Sequence, residues 1–342
     1  MTLSGGHKHL YTPDRDYVGY GLEQPSDCWP NGAKIAVSFV LNYEEGGELS
    51  LWNGDDRSIK GLHELCSDRD AQIGRRDFLA ESMYEYGIRQ GLPRLLKLFD
   101  KYGYKFTVWM VARSAEVTGM YPKLVADMGH EIACHGNRWS VPGQDYEEAK
   151  WHINTSFDRL QAATGVKTAP TAWFMANSTM DTKLARAEVH RDRGVPLVYS
   201  SDAYAADTPY YTQDPLVVRG EEDHGLLLVP YSLLNNDVLF MADGNHGVGK
   251  ADDFFDLLKA DFDYLYAEGD RGHPKMMTIA MHSRVIGKPG RAMALKRFLK
   301  YISTKPDVWV CTREEIANQW RERFPYEKEG MTAALHAEVK KY

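Results

Sequence analysis

Two adjacent glutamates, Glu44 and Glu45, and two distant histidines, His135 and His282, are the residues of this sequence best suited to moving protons. A buried carboxylate and an imidazole both exchange a proton near neutral pH, which is what general acid–base chemistry requires. Each of the four follows an apolar run. The run at 34–41, KIAVSFVL, leads into Asn42, Tyr43, Glu44 and Glu45. HEIAC at 130–134 leads into His135, Asn137, Arg138 and Trp139, and the run at 276–281 leads into His282, Ser283 and Arg284. Paired glutamates are most often a solvated loop, and a lone histidine is most often a satisfied core residue. Repeated placement at the ends of separate apolar runs favours a shared site instead. His63, His152, His190, His224, His246, His273 and His336 follow no ligand spacing and read as surface or loop residues.

The elements that must position these groups alternate along the chain. Buried strands are predicted at 34–41, 105–111, 130–134, 169–175, 197–200, 226–230, 276–281 and 308–311, each a short β-rich apolar run. Between them helical periodicity covers 81–102, 121–128, 145–164, 181–193, 250–269, 290–304 and 312–324. Asp145 with Glu148 three residues on predicts an N-cap. A βαβα rhythm of this kind predicts a parallel sheet wrapped by helices, and about seven such units suit a barrel better than an open sheet. Chemistry in such folds gathers at the carboxyl ends of the strands. The further candidates on that rim are Trp173 and Asn177 around the fourth strand, Asp202 and Tyr204 after the fifth, and Asn235 and Asn236 after the sixth, where Tyr231 and Asp237 also fall.

Three segments, SFVLNYEEGGE at 38–48, GHEIACHGNRW at 129–139 and IAMHSR at 279–284, resemble the polysaccharide deacetylase family, over roughly residues 29–320. The resemblance implies a distorted seven-stranded (β/α) barrel. Zinc-using members end the first strand with two aspartates and follow the third with two histidines four apart. Here those positions read Asn42 and Glu44, then His135 and Trp139. A zinc ion wants three or four N, O or S ligands in tetrahedral reach. The expectation is therefore no metal and no cofactor. NYEEGGE with CHGNRW and a later His-Ser-Arg, together with YEYG at 84–87, SDAY at 201–204, VPYSLLNND at 229–237 and IGKPGR at 286–291, resembles a metal-independent allantoinase and cyclic-amide hydrolase branch. That branch implies a hydrolase of carbon–nitrogen bonds other than peptide bonds, acting on a hydantoin, allantoin or cyclic imide, and assembled as a homo-oligomer. The stretch 172–179, AWFMANST, lacks the arginine expected of an allantoinase, so the substrate class is kept broader than allantoin.

On this reading Glu44 or Glu45 activates or positions water, with its pKa raised by aromatic walls such as Tyr43, Trp139 and Trp173. His135 and His282 share the oxyanion and leaving-group roles, while Arg138, Arg284, Asn235 and Asn236 clamp carbonyl oxygens. Asn42, Asn177, Asp202 and Tyr204 complete the candidate binding surface. Arg138 has an alternative role, bracing its loop through an ion pair.

The remaining composition sets limits. Among 342 residues, 41 basic and 48 acidic side chains give a net charge of −7, and no window is a basic stripe, so nucleic acid is not an expected partner. No apolar run reaches membrane-spanning length, and no signal h-region appears. Four scattered cysteines without a CxxC pair predict free buried thiols and a cytoplasmic location. The expected organisation is an N-terminal arm at 1–28, one barrel domain at 29–325 and a tail at 326–342. The long stretch 52–74, without periodicity, is expected to be a lid or a subunit contact. Two rivals stand beside the cyclic amidase, a metal-dependent carbohydrate N-deacetylase and a catalytically decayed binding protein on the same barrel.

Overall fold

The structure, a computed structural model, describes residues 10–327 apart from 23, 60, 63–72, 140–144, 176–177 and 242–248. Its strands are β1 (Ile35–Tyr43), β2 (Thr107–Met110), β3 (Glu131–Cys134), β4 (Ala172–Trp173), β5 (Tyr199–Ser200), β6 (Tyr210–Thr212), β7 (Leu226–Leu228), β8 (Lys275–His282) and β9 (Val308–Cys311). The helices are α1 (Phe78–Tyr86), α2 (Leu92–Tyr102), α3 (Ala112–Val117), α4 (Tyr121–Asp127), α5 (Tyr146–Thr164), α6 (Met180–Arg193), α7 (Ala251–Asp270), α8 (Pro289–Ile302) and α9 (Arg313–Arg323). Asp145 caps α5 as its sequence predicts, accepting from Glu148 N at 2.9 Å.

The strands form one curled sheet in the order β6-β7-β5-β4-β3-β2-β1-β8, with β9 also paired to β1. Every pairing is parallel except β6 with β7. β8 takes one edge of β1 along 35–42, so β9 at 35–38 and β2 at 40–43 share the other. The segment after β7 reaches across to β8, where Ala280 N donates to Asn235 O at 2.9 Å and Asn236 bridges Ala280 in parallel. The sheet thus curls into the barrel that the sequence implies, with nine strands where the sequence offers eight apolar runs and the resemblance a seven-stranded barrel. The addition that sequence reading misses is β6, a half-buried edge strand of three residues too short to display a period.

Alternation along the strands divides the core into two layers. Ile35, Val37, Phe39, Leu41 and Tyr43 of β1 face outward into the layer formed with the surrounding helices. Ala36 and Val40 face inward with Trp109, Ala133, Tyr199 and Val229. The concave side is filled across its floor by Trp29 and by Trp320 of α9. Within it Arg313, fully buried, donates to Ser201 Oγ at 3.0 Å, Thr278 Oγ1 at 2.8 Å, Pro230 O at 2.6 Å and Val229 O. Its amide donates to Thr107 Oγ1 at 2.9 Å.

The continuous helix predicted at 81–102 is broken by a π turn, Gly87–Gly91, between α1 and α2. Pro93 lies in the first turn of α2 and has no N–H for the carbonyl four residues back, which favours a widened turn there. The turn places glycine against the rim. A Cβ on Gly91 would stand 2.0 Å from Ser283 O, and one on Gly87 2.4 Å from Glu45 Oε1. Gly91→Ala therefore drives side chain into backbone beside His282 and Arg284. We expect it to cost about 3 kcal/mol, read as a lower urea midpoint.

Candidate active site

Strand parity selects what reaches the concave rim. On β1 the inward residues end with Asn42, then Glu44 just beyond the strand; on β8 they end with His282, in register beside Asn42. His135 follows β3, its amide held by Met110 O at 3.0 Å. The Glu44 carboxylate lies at the centre. Its Oε1 is 3.3 Å from His135 Nε2 and 3.4 Å from His282 Nε2, and its Oε2 accepts from Arg284 Nη2 at 2.7 Å. Glu44, His135 and His282 are only 5%, 3% and 5% exposed, so these charges meet with little screening by water.

Each imidazole is oriented from behind. His135 Nδ1 lies 2.7 Å from Phe174 O, a group that only accepts, so the Nδ1 hydrogen is committed there. His135 Nε2 then holds either a lone pair or a proton shared with Glu44. His282 Nδ1 lies 2.6 Å from Asp237 Oδ1, and the other oxygen of Asp237 accepts from the amides of His282 at 2.7 Å and Ile286 at 3.0 Å. Burial alone would depress His282, but the carboxylates of Glu44 and Asp237 outweigh it and lift its pKa to about 9. His282 is therefore an imidazolium at neutral pH, with Nε2–H directed at Glu44.

The two glutamates have opposite environments. Burial would raise Glu44, yet the Arg284 guanidinium, the His282 charge and the His135 bond hold it well below the usual carboxylate range. This corrects the expectation that aromatic walls make Glu44 a near-neutral base. Glu45 is raised by burial, with Arg284 opposing. It points away from the cluster, accepting from Arg284 N at 2.9 Å and packing on Gly87. Arg284 is the partition between them. Its guanidinium lies 4.7 Å from the Tyr84 ring centroid and 5.6 Å from that of Trp139, within cation–π range.

Several candidates are placed otherwise than the sequence implied. Tyr43 and Trp173 have outward parity. Tyr43 Oη bonds Thr118 Oγ1 at 2.6 Å, and Trp173 Nε1 donates to His190 Nε2 at 2.7 Å inside the helix layer. Asp202 also faces outward, taken by Arg186 at 2.7 Å and by Met175 N at 2.6 Å. Arg138 braces its loop, donating to Gly47 O at 2.8 Å, Glu48 O at 3.0 Å and Asp55 Oδ2 at 2.6 Å. Asn42 and Asn236 both donate to Tyr231 Oη, at 2.9 and 3.3 Å, and Asn236 also caps the short helix at 237–240. Asn235 is buried with its Oδ1 unbonded among the described residues. Tyr204 is half exposed, its ring 6.2 Å from that of Tyr231. Trp139 Nε1 donates to Glu44 O at 3.4 Å. Asn177 lies outside the described residues.

Sequence reading places Tyr231 and Asp237 on the rim after the sixth strand without giving either a role, and it carries Tyr84 only within the segment 84–87. The available signal for Asp237 was capping. Asparagine at 236 is a preferred N-cap, which frees the following aspartate to turn toward the neighbouring strand.

Comparison with known proteins agrees with this architecture. The polysaccharide deacetylase family profile matches residues 76–192. Over 316 residues the chain is 38% identical to a putative polysaccharide deacetylase of Schizosaccharomyces pombe, covering 91% of this chain and 98% of that protein. The chain belongs to the polysaccharide deacetylase family. Within the family it stands in the allantoinase-like branch. A crystal structure of PuuE allantoinase superposes with a TM-score of 0.82 at 36% identity, covering 93% of this chain and 100% of that one. A probable polysaccharide deacetylase from Pseudomonas aeruginosa PAO1 superposes at 0.81, also with 36% identity, over 92% and 99%.

The zinc that the family resemblance implies finds no fitting donor set among the described residues. The Trp139 indole offers no lone pair, the Asn42 amide is engaged with Tyr231, and the Arg284 cation already occupies Glu44. Among the described residues no group of three or more His, Cys, Asp or Glu side chains could hold a metal ion.

Proposed function

We propose that this hydrolase opens a small cyclic amide, such as a hydantoin or cyclic imide, at its carbon–nitrogen bond without a metal ion. The observation that carries the reading is Glu44 Oε1 set between the Nε2 atoms of His135 and His282. His135 takes a proton from water at Nε2 while Glu44 stabilises the resulting imidazolium. The water oxygen bonds to the ring carbonyl carbon. The Nε2–H of the His282 imidazolium supports the developing oxyanion, then delivers its proton to the ring nitrogen as the C–N bond breaks. Glu44, contacting both imidazoles, is the path by which the proton on His135 restores His282. The likeness to a protein named as an allantoinase supports a ring amide over an acetylated sugar. The buried free thiols Cys28, Cys134 and Cys311 support a reducing, cytoplasmic setting. Among the described residues no helix is long and apolar enough to cross a membrane.

The test is a substrate panel of hydantoins, allantoin, succinimide, dihydropyrimidines and N-acetylglucosamine oligomers, assayed with and without EDTA. We expect turnover of at least one ring amide, insensitive to chelator, and none of the oligomers. Glu44→Gln and His135→Ala should each lower kcat by about a hundredfold or more. Unchanged turnover in both variants, or activity restored only by added zinc, would contradict the reading.

A further inference from the structure

Beside Glu45, and lined by neither His135 nor His282, lies a cavity of about 560 Å³ between the 45–52 loop, α1 and the end of α3. Its size falls within the range of small-molecule sites. Its walls are mixed, with Trp52, Tyr84, Ile88 and Val117 against the carboxyl groups of Glu45 and Glu48. Among the described residues, charge around it does not balance. Arg76 at the rim is paired with Glu81 at 2.6 Å, and Arg89 with Glu85 at 3.6 Å. That leaves Glu45 and Glu48, which are 1% and 7% exposed. Glu48 accepts from Gly46 N at 2.6 Å, and no cation among the described residues pairs with it. Glu45 Oε1 accepts from Arg284 N, with the guanidinium 3.7 Å away, while Glu45 Oε2 is buried with no hydrogen-bond partner among the described residues. A buried acceptor left unmade costs free energy that a donor entering the cavity would recover.

We propose that this cavity binds a small organic cation, a protonated amine or a guanidinium, through Glu48 and Glu45 Oε2. The aromatic and aliphatic walls fit an organic cation with an apolar stem better than a hydrated metal ion, which would leave those faces unused. Burial lifts Glu48 to about 7 and raises Glu45, and Arg284, the cation that opposes this, is already engaged by Glu44 and offsets that burial only in part. The cavity adjoins the hydrolytic cluster through Tyr84 and Arg284 but is lined by none of Glu44, His135 and His282, and its test reads binding rather than turnover, so it stands or falls independently of the proposed reaction.

Isothermal titration of the full chain with n-butylguanidinium, n-butylammonium, neutral n-pentanol and Mg²⁺ decides the matter. At pH 8 we expect the organic cations to bind with dissociation constants of about 1 mM or tighter. Binding should weaken about tenfold at pH 6, where Glu48 is largely protonated. Glu48→Gln, which keeps an acceptor for Gly46 N, should weaken it about tenfold and remove most of the pH dependence. Val117→Trp, which fills the cavity and leaves both carboxyls in place, should abolish it. Pentanol binding as tightly as the cations, preference for Mg²⁺, no heat from either organic cation, or wild-type affinity in both variants would overturn the proposal.

Discussion

Replacing Asp237 by asparagine is expected to lower turnover by about a hundredfold or more and to move the alkaline limb of the pH–rate profile down from about pH 9 toward neutrality. Asp237 is saturated. One oxygen faces His282 Nδ1 and the other takes two backbone amides. An asparagine can satisfy those amides only with its carbonyl oxygen, which turns its NH₂ toward Nδ1. His282 is then forced to accept at Nδ1 and to carry its one hydrogen on Nε2. The neutral ring still donates toward Glu44 but has lost the proton that, in the proposed reaction, goes to the leaving nitrogen. The same linkage governs stability. Because His282 is raised above its unfolded value, its contribution is fully present below about pH 6.5 and is lost as pH rises through about 9. In wild type, urea midpoints should therefore decline over that window, and the decline should be smaller in the variant. A variant with the wild-type pH–rate profile would show that Asp237 does not set the acidity of His282.

Arg284→Met is expected to destabilise the fold by about 3–5 kcal/mol, because it strips the cation from two buried carboxylates at once. Glu44 loses its 2.7 Å partner, and the charge that opposes the burial of Glu45 disappears. Lysine is not an adequate replacement, since a point charge cannot lie flat between the rings of Tyr84 and Trp139 while reaching Glu44. Adding Glu44→Gln to Arg284→Met removes one of the stranded charges and should recover a measurable part of the loss. Urea unfolding of the two single variants and the double variant at pH 7 gives the coupling directly. Additive losses would show that the contact between Arg284 and Glu44 contributes nothing.

The rim was legible from sequence because strand ends are legible. Glu44, His135, His282 and Arg284 each follow an apolar run, and parallel α/β folds gather such positions. What did not follow was which face each neighbour takes. Trp173 and Asp202 lie on the same rim, but one step of strand parity sends both into the helix layer, and the short pairings of β4 and β5 gave little pattern from which to count. The division of Glu45 from Glu44 has the same origin. The sign of the Glu44 shift was also hidden, since it depends on Arg284 arriving from 240 residues away. The break at Gly87–Gly91 was readable in part, because Pro93 cannot sit inside an undisturbed helix.

Arg313 carries a consequence for how the molecule is made. Its donors join positions 35 to 206 residues away, on or just beyond four separate strands, and it opens α9, the last helix among the described residues. Until that helix has left the ribosome, the acceptors at Thr107, Ser201, Val229, Pro230 and Thr278 lack the residue that joins them. Completion of the barrel is thus a late, long-range event in the life of the chain, and a nascent polypeptide ending before residue 313 is a natural client for chaperones.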